Sequence, residues 1–423
     1  MAKKAPAVIV VGAGISGLCC AVTLHEAGIP VQVVEGSDRV GGRAASDRYD
    51  GFILDRGFHV LLTAYPEAKK FLDFGALNLH NFYPGALIYT GGKLQKISDP
   101  FRRPLDALPT LFSSIGTLKD KSLVAKLRQR LVKSTEEEIF ARPETSTMEA
   151  LIMAGFSSDF IDKFFRPFLG GIFLERNLTT SSHLFEFVLK CFSQGDTALP
   201  VLGIGAIAEQ LAKKLPEGSM RKKSPVKAVD EGFVLLEDGD TLAARMVVVA
   251  TPGPEARRLL GTEIEHTRGN SATCVYYCTE KSPPVAEPIL VLNGQGNKGI
   301  VNNVCVPNLV SASYAPEGHH LISATIIGNK DDDEDHEIDE EVRKELTGWF
   351  GEQVHDWRYL KTYRLRYAVP EQLPPLEGQK PVKLRPGIFV CGDHRNTASL
   401  NGAMASGRLT AQAIVQEIQA GPE

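Results

Sequence analysis

The 423-residue chain has no run of the roughly 20 uninterrupted apolar residues that a membrane-spanning helix needs, which leaves a soluble or peripheral protein as the expectation. It has no CxxC pair and no Cys/His cluster at zinc spacing, so no metal site is expected. It lacks a charge excess: 47 Lys+Arg against 51 Asp+Glu give a net charge of -4, and nothing in that balance points to nucleic acid. The acidic run NKDDDEDHEIDEEVRKEL (329–346) lacks the spacing and sixth-position glycine of a calcium loop; acids of this kind suit a solvated face and the start of a helix. Seven cysteines, an odd number, fit a reducing compartment and a cytoplasmic location. Cys274 and Cys278, in SATCVYYCTE, fall on one face of a strand and read as small buried residues.

What is present is ordinary in bulk and specific in places. Length suggests two or three structural units, and 43% hydrophobic and 23% charged residues are usual for a globular protein. Lys3 and Lys4 before an apolar run imitate a signal peptide, but glycines at fixed offsets explain that run better. Ala7 to Val11 reads as a parallel strand buried on both faces. Gly12, Gly14 and Gly17 follow in G-x-G-x-x-G spacing, with Ala13, Ile15 and Ser16 between them. The first glycine permits the turn, the second a close approach of backbone to pyrophosphate, and the third the packing of helix on strand. A helix is expected from Ser16 to Ala27, stopped by Gly28, with its N-terminal N–H groups offered to phosphate. Val31 to Val34 is the second strand, and Glu35 ends it. A carboxylate there accepts ribose hydroxyls and repels a 2'-phosphate, which points to a dinucleotide without separating NAD from FAD.

The residues that follow are more specific. GSDRVGGR (36–43) carries Gly36, Arg39, Gly41, Gly42 and Arg43 directly after the second strand. GFILDRGFHVL (51–61) contains Asp55, Gly57, Phe58 and His59, and TPGPEARRLL follows the strand MVVVA (246–250). GIFVCGDHRNTASLNGAMASGRLTAQAI (387–414) is a strand, Gly392-Asp393, a loop with Asn401, Gly402 and Ala403, then a helix. Together these segments resemble the flavin-containing amine oxidase and carotenoid (phytoene) desaturase superfamily over nearly the whole length. The resemblance implies an α/β fold in which a Rossmann-type FAD-binding domain, a three-layer domain on a parallel sheet, is interleaved with an α+β substrate domain. Residues 1–85, 200–260 and 383–423 would form the first, and 86–199 and 261–382 the second. It further implies that Arg43 lies near the pyrophosphate and that Gly57, Phe58 and His59 pass along the flavin. Val226 would reach the adenine through its backbone, and Asp393 would accept a ribityl hydroxyl. Asn401, Gly402 and Ala403 would open a helix whose dipole faces the flavin.

No cysteine lies in Arg366–Pro370, where some relatives attach flavin, so noncovalent FAD is expected. The stretch Thr397–Asn401 holds no aromatic residue, unlike amine oxidases, which place one there around the substrate nitrogen. PFLGGIFL (167–174), within a Phe/Leu-rich segment (163–195), resembles the desaturase and isomerase branch. Dehydrogenation or isomerisation of an apolar small molecule, such as a polyene or isoprenoid, is therefore favoured. Amine oxidation and a non-catalytic flavin-binding role are the alternatives. The aromatics of 163–195 fit either a helical core or a substrate channel, and Arg166 either a buried ion pair or a substrate contact. His59 and His394 sit in cofactor motifs, but no catalytic residue is assigned.

Elsewhere, Ala86–Ile97 reads as a hairpin turning at Gly91-Gly92, residues 105–198 as mostly helical, and 261–382 as strands plus one helix. Turns are expected at Glu231-Gly232 and Asp238-Gly239. Gly203-x-Gly205-x-x-Ala208 is a near-repeat of the glycine loop without a preceding buried strand, and reads as a helix returning to the first domain. The amphipathic segment Ser122–Lys133 presents Lys126, Arg128, Arg130 and Lys133, either as a plain surface face or as a peripheral contact with anionic lipid. The sequence does not fix an oligomeric state.

Overall fold

The computed structural model describes residues 8–99, 101–103 and 114–420. Lys3, Lys4, the expected strand start at Ala7 and residues 105–113 of the stretch read as helical lie outside the described residues.

A six-stranded sheet runs Met220–Arg221, Val31–Val34, Val8–Val11, Met246–Val249, Ile388–Val390 and Lys383–Arg385 in order. The first five strands are parallel and the last is antiparallel. Alternate side chains go to opposite faces. Val8, Val10, Val33, Val248 and Phe389 pack against the helices Ile15–Glu26, Gly205–Ala212 and Leu400–Ala420. Ile9, Val11, Val34, Val247, Val249 and Val390 pack against an antiparallel meander, Val226–Asp230, Phe233–Leu236 and Thr241–Ala243. Covering both faces is what makes these strands apolar throughout. The central strand Val8–Val11 pairs with Val31–Val34 on one side and Met246–Val249 on the other, so the glycine loop opens at a switch point of the sheet.

A second, seven-stranded sheet runs Arg358–Pro370, Gly269–Thr279, His320–Ile327, Val301–Cys305, Leu290–Asn293, Gly85–Thr90 and Lys93–Ser98. The last two strands form the expected hairpin. Gly91 and Gly92 both have positive φ (59° and 76°), as the tight mirror-image turn requires. One face is covered by the helix Asp335–Phe350 through Ile338, Val342, Leu346 and Trp349. The acidic run at its start is not simply a solvated face. Asp331 pairs with Arg366 (2.6 Å), Asp333 with Lys330 (2.7 Å) and Asp335 with Arg364 (2.5 Å). The Arg366 and Arg364 pairs tie the helix N-terminus to the edge strand Arg358–Pro370, and the Lys330 pair is local to the run.

The other face carries the helix Arg166–Phe173, and the helices Leu118–Lys133 and Ser182–Gln194 pack on each other. Gly170 and Gly171 let the helix Arg166–Phe173 lie close to the sheet: a Cβ on Gly171 would stand 2.8 Å from Asn302 Nδ2. Arg166 is an internal pair, donating to Asp162 (2.9 Å) and to the Arg176 carbonyl (2.5 Å). At the near-repeat, the N–H groups of Ile204 and Gly205 donate to Asp55 Oδ1 (3.0 Å) and Ser46 Oγ (2.9 Å), so this helix start is occupied by the chain's own side chains. Cys274 and Cys278 are buried, free, and on one face with Tyr276.

Candidate active site

The glycine loop follows from its backbone. Gly12 has φ +106°, and a Cβ on Gly17 would lie 2.1 Å from the Gly12 carbonyl oxygen, so both positions exclude side chains. Gly14 is different: a Cβ there would meet nothing within 4 Å, because the residue faces open space. The Ile15–Glu26 helix begins here, with its positive dipole end and unpaired N–H groups turned to that space. The hydroxyls of Ser16 and Thr251 are buried beside it and have no hydrogen-bond partner. Glu35 stands across the loop. Its carboxylate accepts from the N–H of Ala13 (2.7 Å) and of Ser37 (2.8 Å).

Gly41 and Gly42 have positive φ (110° and 58°) and run alongside the loop, with Gly41 bridged to Gly14. They deliver Arg43, which donates to Asp393 Oδ1 (2.7 Å) and to the Ala368 carbonyl (2.9 Å). Arg39 turns the other way and pairs with Asp47, which also takes Arg56 and the Tyr363 hydroxyl. Burial alone would raise the Asp47 carboxyl, but those hydrogen bonds hold it down at about 2. Asp55 is buried and anchors Ser46, Ile204 and Tyr314 (2.5, 3.0 and 2.8 Å); burial pushes its carboxyl above the usual range.

A continuous cavity of about 1310 Å³ joins these parts. Gly12, Gly14, Ile15, Ser16, Glu35, Gly36, Gly42, Arg43, Gly57, Phe58, His59, Val226, Gly392, Asp393 and Ala403 all line it. Val226 lies at its Glu35 end, with its carbonyl accepting from Arg258 (2.6 Å). Ala13, Gly17, Arg39, Asn401 and Gly402 do not line it. Asn401 is a fastener instead, accepting the Glu67 N–H (3.0 Å), while Glu67 holds Arg408 of the same helix (2.7 Å). Gly402 lets that helix start against its own loop, since a Cβ would stand 2.0 Å from the Thr397 carbonyl. His59 Nε2 lies 3.0 Å from the Arg56 carbonyl, and burial lowers the imidazole below its ordinary value despite Asp55. His394 is buried behind the cavity wall with neither ring nitrogen hydrogen-bonded, and burial brings it down to about 4.

Sequence reasoning missed three supports. Ser406 accepts the Gly392 N–H (3.1 Å), and Gly407 lets the Leu400–Ala420 helix touch the first helix at Ser16 and Cys20. The Ser-Gly pair in that helix was their only signal. Cys274, Thr325 and Asn303 sit side by side on three adjacent strands and form a polar row in the cavity wall. Strand pairing creates that row, and no local motif announces it.

Beyond Phe58, the wall is built by Phe82, Phe164, Phe168, Phe192, Ile172 and Leu189. Phe164 and Phe168 stack at 5.5 Å, and Phe168 meets Phe192 edge-on at 5.2 Å. Phe173, Phe185 and Phe187 of the same segment are core, and Phe165, also buried, belongs to both the core and the cavity wall. The segment therefore divides between core and channel. Among the described residues no cluster of His, Cys, Asp or Glu could hold a metal ion, and no helix is long and apolar enough to cross a membrane.

The sequence profile of the flavin containing amine oxidoreductases matches residues 15–415. The chain belongs to that family. This flavin amine oxidoreductase is 27% identical over 164 residues to protoporphyrinogen oxidase 2 of Arabidopsis thaliana, covering 39% of this chain and 32% of that relative's length. It thus spans about a third of that curated relative. Its fold is similar to that of a putrescine oxidase bound to putrescine (TM-score 0.72, 18% identity, 97% and 99% of the two chains covered). It is also similar to that of cyclohexylamine oxidase from Brevibacterium oxydans (TM-score 0.71, 17% identity, 98% and 100% covered). That family implies a flavin cofactor. The residues present fit such a cofactor: a glycine cradle open at Gly14, buried hydroxyls without partners at Ser16 and Thr251, and a carboxylate at Glu35.

Proposed function

We propose that the chain binds FAD noncovalently and dehydrogenates, or isomerises, a largely apolar substrate such as a polyene or isoprenoid. The bound flavin supplies the hydride chemistry. In this reading Glu35 holds the adenosine ribose, the Gly12–Ser16 loop and Arg43 the pyrophosphate, Asp393 the ribityl chain, and Gly57–His59 the flavin. The rest of the chain's task is to seat a C–H bond beside the ring in a dry channel.

One observation carries the substrate class. Among the described residues, the cavity wall beyond Phe58 is mostly Phe, Leu, Ile and Val, interrupted by Tyr65, Tyr83 and the Cys274–Thr325–Asn303 row, and its one carboxylate, Asp99, is engaged by Arg102. Alkylamines are cations at neutral pH and need acceptors or an open π-cage; Arg102, Lys121 and Arg128 line the same end and oppose them. At the position where amine oxidases carry an aromatic, Ser399 and Leu400 line the cavity. Noncovalent binding is supported by the state of Cys274, the one cysteine in the wall among the described residues. Burial pushes its thiol up to about 11, so it stays protonated and a poor nucleophile. Seven buried free cysteines suit a cytoplasmic setting.

Anaerobic mixing with polyenes or isoprenoids tests the reading. Loss of the oxidised flavin absorbance with one of them, and none with mono- or polyamines, is the expected result. An isomerisation shows no net bleaching and is detected by product analysis starting from reduced flavin. Rapid bleaching by an amine at a rate matching turnover overturns the substrate class. Acid precipitation should release intact FAD; flavin left in the pellet contradicts noncovalent binding.

Peripheral lipid contact rests on fewer residues than the four-residue basic face, because Arg130 pairs with Glu186 and Arg128 turns to the cavity. Lys126 and Lys133 remain exposed. Binding to anionic liposomes that salt weakens, and that Lys126→Gln with Lys133→Gln abolishes, would establish it.

A further inference from the structure

Among the described residues that line the cavity, Arg128 is a cation without a counter-charge. It sits midway along the Leu118–Lys133 helix and lines the cavity. Its guanidinium lies over the Phe101 ring, 4.2 Å from the centroid, and Nη2 donates to the Ser193 carbonyl (3.2 Å). Nε is buried and donates to nothing, and no carboxylate among the described residues pairs with this arginine. Its neighbours differ. Arg130 is paired with Glu186, and Arg102 with Asp99 and Asp196 while also donating to the carbonyls of Phe192 and Gly195. A guanidinium with unused donors against an apolar wall carries a desolvation cost that an anion would offset. Its planar fork matches a carboxylate or phosphate better than any neutral group.

The surroundings say where that anion would sit. Phe101 and Leu118, 55% and 71% exposed, line the same end of the cavity and mark its opening. Inward of them run Phe164, Phe168 and Phe192. We propose that Arg128 forms an anion site at the cavity mouth, so that the substrate is an amphiphile with an apolar body along the phenylalanines and a carboxylate or phosphate at its outer end. This rests on the apolar-substrate reading above and narrows it. The anion is held at the opening, where it keeps access to water, and its binding sets how far the apolar body reaches toward Gly57–His59.

The test compares matched pairs on the flavin-loaded protein by equilibrium binding: retinoate against retinol, and geranylgeranyl diphosphate against geranylgeraniol. The anionic member of at least one pair should bind roughly tenfold tighter or more, as a charge-assisted bidentate contact allows. Added salt should narrow that gap. The pair with the larger gap distinguishes carboxylate from phosphate. Arg128→Gln should remove the gap and leave flavin content unchanged, and Arg128→Lys should retain part of it, since charge survives without the fork. Equal affinity within both wild-type pairs overturns the anion site while leaving the apolar channel standing, as does a gap that survives Arg128→Gln. If neither member of either pair binds, the apolar-substrate reading fails together with this one.

Discussion

The two ends of the cavity are built by opposite means. At the Glu35 end, much of the wall is backbone from residues 12–43, glycines with positive φ and a helix N-terminus, joined by the carboxylates of Glu35, Glu237 and Glu255 and by segments around 226 and 251. At the outer end it is side chains, drawn from segments around 58, 82, 101, 118, 164 and 192 that meet only through tertiary packing. A backbone wall tolerates almost no substitution, because no rotamer can move aside. A side-chain wall can be repacked, at a cost in volume and solvation.

The largest expected effect lies at the backbone end. Gly17→Ala puts a methyl 2.1 Å from the Gly12 carbonyl, and neither the strand nor the helix can retreat. No folded flavoprotein should be recovered. Gly14→Ala sharpens the contrast, since its methyl meets only open space. That variant should fold with a melting temperature near wild type yet lose bound flavin on gel filtration. If Gly17→Ala purifies yellow and stable, the account of a rigid backbone wall is wrong.

At the other end, Phe165 is 1% exposed, reaches the cavity wall, and holds the phenylalanine cluster together. Phe165→Ala should cost about 3–5 kcal/mol by leaving a cavity, with the folded fraction still binding flavin. Phe168→Ala, on the channel wall, should cost less and change substrate binding instead. Equal losses of flavin from both variants would mean the two ends are not separable. Thermal denaturation with and without added FAD reads both.

This contrast also decides what was legible in the sequence. Contiguity made the backbone end readable: strand, three glycines, helix, acid and the Gly42-Arg43 turn lie within one short stretch, and most of those residues line the cavity. Arg39 and Asn401 do not line the cavity, since motif position carries no direction. Arg39 is drawn to Asp47, delivered by the hairpin with Asp55, and Asn401 to the backbone of Glu67. Arg128 looked like part of an outward face because helical periodicity alone cannot show that Phe101 and Ser193 lie beside it. The Cys274–Thr325–Asn303 row needed the register of three strands, two of which enter the chain long after the first.

Acid should affect the wall behind Asp393. His394 is 4% exposed, and burial lowers it from its ordinary 6.5 to about 4, against a smaller opposing pull from Asp393. The imidazole is therefore neutral in the fold. Its contribution is fully present above pH about 6.5 and is lost as pH falls toward about 4, because the unfolded chain takes up the proton first. The loss is at most about 3 kcal/mol. His59 is shifted in the same direction, so the wild-type slope includes both. His394→Gln should flatten melting temperature against pH in this window and leave it unchanged above neutrality. An unchanged slope would place the acid sensitivity elsewhere.

The smallest effect separates two residues at the backbone end that sequence position treats alike. Glu35→Ala removes an acceptor for the ribose and should weaken FAD binding by about 1–3 kcal/mol, read by titrating apoprotein with FAD. Arg39 lies four residues further on in the same signature, but its guanidinium is on the outer side and its side chain is 40% exposed. Arg39→Gln breaks two partly exposed pairs, with Asp38 and Asp47, and Asp47 keeps Arg56 and Tyr363. Stability should fall by no more than about 1 kcal/mol, and FAD affinity should not change measurably. If Arg39→Gln weakens FAD as much as Glu35→Ala does, the arginine must swing inward when the cofactor binds. The pairing with Asp47 would then describe only the cofactor-free arrangement.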